Sequence, residues 1–250
     1  KKKKLILLPA GGQFHSELKN LPLFLRAFYI KILNSFSKIV VETNELKIGL
    51  NQIGVTCFQS PNPRHIKKLK FNKKEFKELK VYFISSIKKE KGILDAIDAV
   101  EILHRKGLNI KLVIHGRVMN DFKFEFMNKL KNAQNSIFLG GLENDKVIKT
   151  LHKNAHFLLL PTYYPGEGLP GVLVESTIAE VPFLVTKIDA IEDYFVNDKT
   201  MVLINKNDPK DIADKLYSLI QDQEKYCNIT QNQKEIKHEF SVSNFLKKIL

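Results

Sequence analysis

Two glutamates, Glu167 and Glu175, stand eight positions apart in the stretch Pro161-Thr-Tyr-Tyr-Pro-Gly-Glu167-Gly-Leu-Pro-Gly171-Val-Leu-Val-Glu175. The apolar run before it, Phe157-Leu-Leu-Leu160, reads as a buried parallel strand. After the loop an apolar helix begins, and Pro170 suits a first helical turn, where its missing N–H costs nothing. A strand, a glycine loop and a helix N-terminus together make a place for phosphate. Gly166, Gly168 and Gly171 let the backbone approach an anion closely, and the free amides near Gly168, Leu169 and Gly171 can point at it, helped by the helix dipole. Carboxylates on either side accept hydrogen bonds from sugar hydroxyls. The ligand this pattern asks for has sugar, phosphate and sugar in a row, as a nucleotide sugar does. Taken alone, the same pattern also suits a tight turn with an acidic residue at a helix start.

The elements that would hold such a loop alternate between strand and helix. In the first part, 5–8, 38–41 and 55–59 read as strands, and 16–35 (interrupted at Pro22) and 44–52 as helices. Pro61-Asn62-Pro63 then stops the pattern and marks a boundary. Beyond it, strands are expected at 81–85, 111–114, 137–139, 157–160, 183–186 and 201–204. Helices are expected at 92–106, 122–131, 146–153, 170–179 and 209–221, with two more to finish. This alternation implies an α/β protein with parallel sheets and right-handed crossovers. Ligands of such sheets sit outside the carboxyl ends of the strands, so the loops at Ser85, His115, Gly140 and Thr162 are expected to line one rim.

Composition agrees. The 250 residues are 44% hydrophobic with 12 glycines, which suits a globular chain able to bury one large core or two modest ones. No run of eighteen apolar residues offers a membrane span. Lys1-Lys-Lys-Lys-Leu-Ile-Leu-Leu8 is too short for a signal-peptide core and reads as a strand. Cys57 and Cys227 lie in no metal or redox spacing, so two reduced thiols in a cytoplasmic protein are expected. No Asp-x-Asp and no metal-ligand spacing occur. The net charge of +13 admits anionic substrates, an anionic membrane surface or nucleic acid. The basic segment His65–Lys74 reads as a solvated linker, and no nucleic-acid-binding signature accompanies it. The helix Leu21–Leu33 is apolar with basic points; a helix that covers the sheet is the favoured reading, and one lying on a membrane is the other.

The segment from Pro161 to Glu175 resembles the donor-binding motif of retaining GT-B-fold glycosyltransferases of the family-four (glycosyl transferases group 1) type. The resemblance implies that Glu167 contacts the donor sugar, Glu175 the nucleotide ribose, and the loop amides the diphosphate. It extends along the chain. Phe83-Ile-Ser-Ser-Ile-Lys-Lys-Glu-Lys91-Gly92 is similar to the family's strand-loop-helix in which an arginine and a lysine grip the diphosphate; Lys91 keeps the lysine, and Ser86 stands where arginine is commonest. Lys88 is a candidate to replace that charge in part. Val113-Ile-His115-Gly116-Arg117 and Phe138-Leu-Gly140-Gly141-Leu142 resemble the next two rim loops, the latter meeting the base through its backbone. The resemblance therefore implies Glu167 and Lys91 as catalytic residues. It implies a UDP- or GDP-sugar as donor substrate without a cofactor or metal, and a saccharide or lipid-linked acceptor.

It also implies a GT-B-like organisation. Residues 1–62 are expected to form a partial Rossmann-like domain on the acceptor side. Residues 63–235 would form a complete donor-binding one, and 236–250 a helix packing back on the first domain. A partner chain that supplies further N-terminal elements, a cytoplasmic location at the inner membrane face, and a partner-dependent nucleotide-sugar-binding module instead of an autonomous enzyme all follow as alternatives to test. Departures from the family are Ala10 in the place of a histidine, and Glu180, Asp189 and Met201 in the places of glycines. Asp193 stands near a usual glutamate, and His156 replaces a frequent aspartate. A side chain at a glycine with positive φ costs roughly 1 kcal/mol.

Overall fold

The computed structural model describes residues 6–8, 14–66, 69, 77–188 and 190–249. The loop around Ala10, most of the basic segment and Asp189 lie outside them.

The first part of the chain runs β1 (Ile6–Leu7), α1 (Phe14–Lys19), α2 (Leu23–Leu33), β2 (Lys38–Val41), α3 (Asn44–Gln52) and β3 (Phe58–Gln59). The strands are parallel in the order β1-β2-β3. Strand alternation divides β2 between two apolar layers. Ile39 and Val41 pack with Leu18, Leu46 and Leu50, while Val40 meets Phe245 and Ile249 from the end of the chain. Thr43 caps α3, its Oγ1 accepting from the Leu46 N–H at 3.1 Å. The break at Pro22 separates α1 from α2 as expected. Contrary to a helix that covers the sheet, α2 buries only Leu33 among its residues, and Leu23, Phe24 and Phe28 are 74%, 72% and 59% exposed. The third strand is shorter than 55–59, because only Phe58 and Gln59 find partners on β2.

The second part holds β4 (Leu79–Ile84), α4 (Ile93–Arg105), β5 (Ile110–His115), α5 (Lys123–Lys131), β6 (Ser136–Phe138), α6 (Asn144–Asn154), β7 (Phe157–Leu160), α7 (Gly171–Ala179), β8 (Phe183–Thr186), β9 (Val202–Ile204), α8 (Pro209–Gln221), α9 (Gln223–Ile236) and α10 (Val242–Ile249). Its sheet is fully parallel in the order β6-β5-β4-β7-β8-β9. Every residue of β7 and β8 is buried, as strands covered by helices on both faces require. The order turns around between β4 and β7, which places a topological switch point, and so a crevice, at their carboxyl ends.

The two sheets meet through specific groups. The connector after β3 passes beside the segment leading into α10: the Arg64 N–H donates to the Phe240 carbonyl at 2.8 Å, and the Val242 N–H to the Arg64 carbonyl at 3.1 Å. Asp193 Oδ2 accepts from the Asn44 N–H at 2.7 Å and from Gln59 Nε2 at 3.0 Å. The Tyr194 hydroxyl donates to the Glu42 carbonyl at 2.6 Å.

Candidate functional site

The rim loops are fastened to one another by backbone hydrogen bonds. Ser85 N–H donates to His115 O at 3.1 Å, Ile87 N–H to Arg117 O at 2.8 Å, and Gly116 N–H to Gly140 O at 2.9 Å. Tyr163 N–H donates to Glu90 O at 2.8 Å, tying the Pro161 loop to the turn before α4. Glycine is required where these loops touch. A Cβ at Gly116 would lie 1.8 Å from the Ser85 carbonyl oxygen, and one at Gly92, where φ is +72°, would lie 2.1 Å from that of Pro161.

The fastened loops and the connector enclose a cleft of about 1000 Å³ at the switch point. Of the residues predicted from sequence, Ser86, Gly116, Arg117, Leu142, Gly171 and Glu175 line it. Gly171 opens α7, and Glu175, one turn further in, is 9% exposed. Burial pushes the Glu175 carboxyl above its ordinary range, partly offset by Arg64, whose Nε donates to Oε1 at 2.9 Å. Arg64 also lines the cleft, and sequence reasoning missed it. The prolines before it mark a boundary, and a contact spanning 111 residues leaves no local signal.

Lys91 and Glu167 come together beside the cleft and are not part of its lining. Lys91 is buried on a short 3-10 turn, Lys89–Lys91, and its Nζ pairs with Glu167 Oε2. The Thr162 hydroxyl donates to the same Oε2 at 3.0 Å. The Tyr164 ring lies under Lys88 Nζ at 3.2 Å and near Lys91 Nζ at 5.0 Å. Lys88 is therefore held on an aromatic face and does not line the cleft as a replacement charge.

Three further expectations are corrected or narrowed. His115 is buried beneath the rim, stacked on Tyr82 with ring centroids 6.1 Å apart, and does not line the cleft. Burial holds its pKa below the usual imidazole range, partly offset by a hydrogen bond with the Gly140 backbone, and its Nδ1 has no hydrogen-bond partner. The Leu169 side chain belongs to the main core, so only its backbone is available to a ligand, as at Gly168. The Gly140 carbonyl is already used by Gly116. Among the departures from the family pattern, Glu180 adopts φ +57° at the end of α7 and pairs with Lys237. His156 Nδ1 accepts the Lys80 N–H at 3.0 Å, a structural role between strands. Among the described residues, no group of three or more His, Cys, Asp or Glu gathers as a metal site.

Residues 64–236 match the model of the family described as Glycosyl transferases group 1. A capsular polysaccharide biosynthesis glycosyltransferase of Staphylococcus aureus, CapM, is 26% identical over 235 residues, covering 90% of this chain and 60% of its own. The chain thus spans about 60% of the length of that curated relative. Anabaena HepE, solved in complex with UDP, superposes with a TM-score of 0.77 at 16% identity over 99% of this chain and 71% of its own. A mutant of S. aureus TarM, solved with fondaparinux, alpha-GlcNAc-glycerol and UDP, gives 0.73 at 21% identity over 97% and 49%. These likenesses agree with the α/β, GT-B-like fold class expected from the sequence.

Proposed function

The chain belongs to the glycosyl transferases group 1 family, and from that premise we propose that it transfers a sugar from a nucleotide diphosphate sugar to a saccharide or lipid-linked acceptor, with retention, in cell-surface polysaccharide synthesis. The observation that carries this reading is the cleft at the switch point, where buried Glu175 stands beside the free N-terminus of α7. The ribose hydroxyls fall to Glu175 and the diphosphate to the α7 amides, Ser86 and Arg117. The donor sugar falls to Glu167. The names of the relatives support the direction: CapM is described as acting in capsular polysaccharide synthesis, and both solved relatives were seen with UDP.

In the proposed reaction the bond between the anomeric carbon and the diphosphate oxygen breaks, and the acceptor oxygen bonds to that carbon on the same face. The acceptor's proton passes to the departing diphosphate. The protein's part is to stabilise the charge that grows on the diphosphate, through Lys91 and the helix amides, and to hold both substrates in reactive geometry. Lys91 pairs with Glu167 in this structure, so the proposed reaction requires it to exchange that partner for the diphosphate, leaving Glu167 for the sugar.

Thermal-shift titration with UDP, GDP and their sugars tests the donor site, since a ligand that binds only the folded protein raises its melting temperature. No shift with any nucleotide rejects the proposal. Glu175→Ala is expected to weaken nucleotide binding, and Glu167→Ala to lower turnover while free UDP still binds. Equal loss of UDP affinity in both variants contradicts that division of roles.

The exposed face of α2 favours a second element of the reading. Leu23, Phe24 and Phe28 face solvent next to Arg26 and Lys31, which suits an anionic membrane surface carrying a lipid-linked acceptor. Among the described residues no helix is long and apolar enough to cross a membrane, so the association proposed is peripheral, at the inner face. Sedimentation with anionic vesicles that weakens in salt and is lost in Phe24→Ser/Phe28→Ser supports it. Donor turnover that appears only when another polypeptide is added supports instead a partner-dependent module.

A further inference from the structure

The cation closest to Glu175 comes from outside the donor sheet. Arg64 belongs to the connector and is fixed there by its own backbone, its N–H bonded to Phe240 and its carbonyl to Val242. Its guanidinium is divided among several neighbours. Nε donates to Glu175 at 2.9 Å, and Nη1 leans on the carbonyls of Asn62 and Pro63 at 3.4 and 3.3 Å. Nη2 lies against Gly171, so closely that a Cβ built there would come within 2.4 Å of it.

This is an unfavourable place for a cation by itself, since the start of a helix is already positive. Glu175 compensates one charge. What remains is Nη2 of Arg64, the free amides at the start of α7 and Arg117, which lines the same cleft. An anion bridging these groups would relieve their mutual repulsion. Glu167 and Lys91 pair with each other beside the cleft, and the cations that line it are Arg64, Arg117 and Lys149.

We propose that Arg64 is a positioning residue of the donor cleft: it aims Glu175 at the ribose and turns its free guanidinium edge toward the diphosphate. This rests on the donor-site reading above and adds a connector residue to it. Burial pushes the Glu42 carboxyl of the first sheet's loop above its ordinary range, partly offset by the charge of Arg64.

The test is calorimetric binding of UDP and of uridine to wild type, Arg64→Ala and Arg64→Lys between pH 5 and 8. Arg64→Ala is expected to weaken UDP at least tenfold and uridine only a few-fold at neutral pH, with Arg64→Lys recovering part of the UDP loss. The pH profile adds a readout that mere folding damage would not give. Without Arg64 the burial of Glu175 acts unopposed, so its carboxyl takes a proton at higher pH and uridine binding fades earlier as pH falls. His65, Arg117, Asp145 and Lys149 share the cleft, and Glu42 lies behind Arg64; all are unchanged in this comparison. If Arg64→Ala fails to fold, Arg64→Ala/Glu175→Gln is compared with Glu175→Gln alone, and the double variant should still lose UDP affinity. Wild-type UDP affinity with an unchanged pH profile in Arg64→Ala, or equality of the double variant with Glu175→Gln, overturns the inference while leaving the donor site standing. Absence of nucleotide binding in wild type overturns the donor-site reading itself.

Discussion

Lys91 and Glu167 stand in a nearly dry spot, their side chains 11% and 13% exposed. Removing one partner strands the other's charge, which for a buried pair costs about 3–5 kcal/mol. Lys91→Met and Glu167→Leu should therefore each lower stability by a few kcal/mol, and Lys91→Met/Glu167→Leu by clearly less than their sum, a non-additivity that urea melts of the three variants will reveal. Lys91→Met should also reduce turnover about a hundredfold or more if its cation meets the leaving diphosphate. His115 makes a prediction of a different kind. Its folded pKa lies below the ordinary 6.5, so the unfolded chain takes up the proton first as pH falls. The stability tied to a neutral His115 is complete above pH 6.5 and declines as pH drops through the window below it. His115→Phe should flatten that decline relative to wild type, as thermal melts at stepped pH will show.

At the scale of elements, strain and compensation can be separated. Glu180 ends α7 in the left-handed region, where a side chain costs roughly 1 kcal/mol relative to glycine, and its ion pair with Lys237 offsets part of that. Glu180→Gly should be nearly neutral in wild type, but in a Lys237→Ala background it should raise the melting temperature by about 2–4 °C. Gly92→Ala should do the reverse, because its Cβ would drive into the Pro161 carbonyl and push the Glu167 loop off the turn that carries Lys91. Much of this scaffold could be read in the chain. The bounds of β2, α3, β7, β8 and α8 fall where apolar runs and stop signals put them, since each is set by local pattern and a cap or a proline. The start of β3 did not, because whether residues 55–57 pair depends on β2 and not on themselves. The glycine loop and Glu175 were legible for the same local reason. Arg64 was not, nor was the exposure of α2, since periodicity reports an apolar face without saying what covers it.

The described residues form two parallel sheets joined at a junction that includes specific side-chain hydrogen bonds. Asp193 reaches from the second part to the start of α3 and to Gln59, and Tyr194 to Glu42. Asp193→Ala removes two of these bonds, at a cost of about 1–3 kcal/mol, and should speed hydrogen exchange at 43–47 far more than in β7 or β8. Equal exchange in both regions would mean that the junction does not hold the first sheet. The last helix adds an order of events. Val40 is covered on its outer side by Phe245 and Ile249, whereas the core of the six-stranded sheet draws on no described residue after Phe240. On a ribosome, the second sheet can therefore close before the first, which must wait, half uncovered, until residue 249 has emerged. For these two sheets, synthesis order and completion order run opposite ways, which leaves the first of the pair uncovered, and open to a chaperone, for longer than the second.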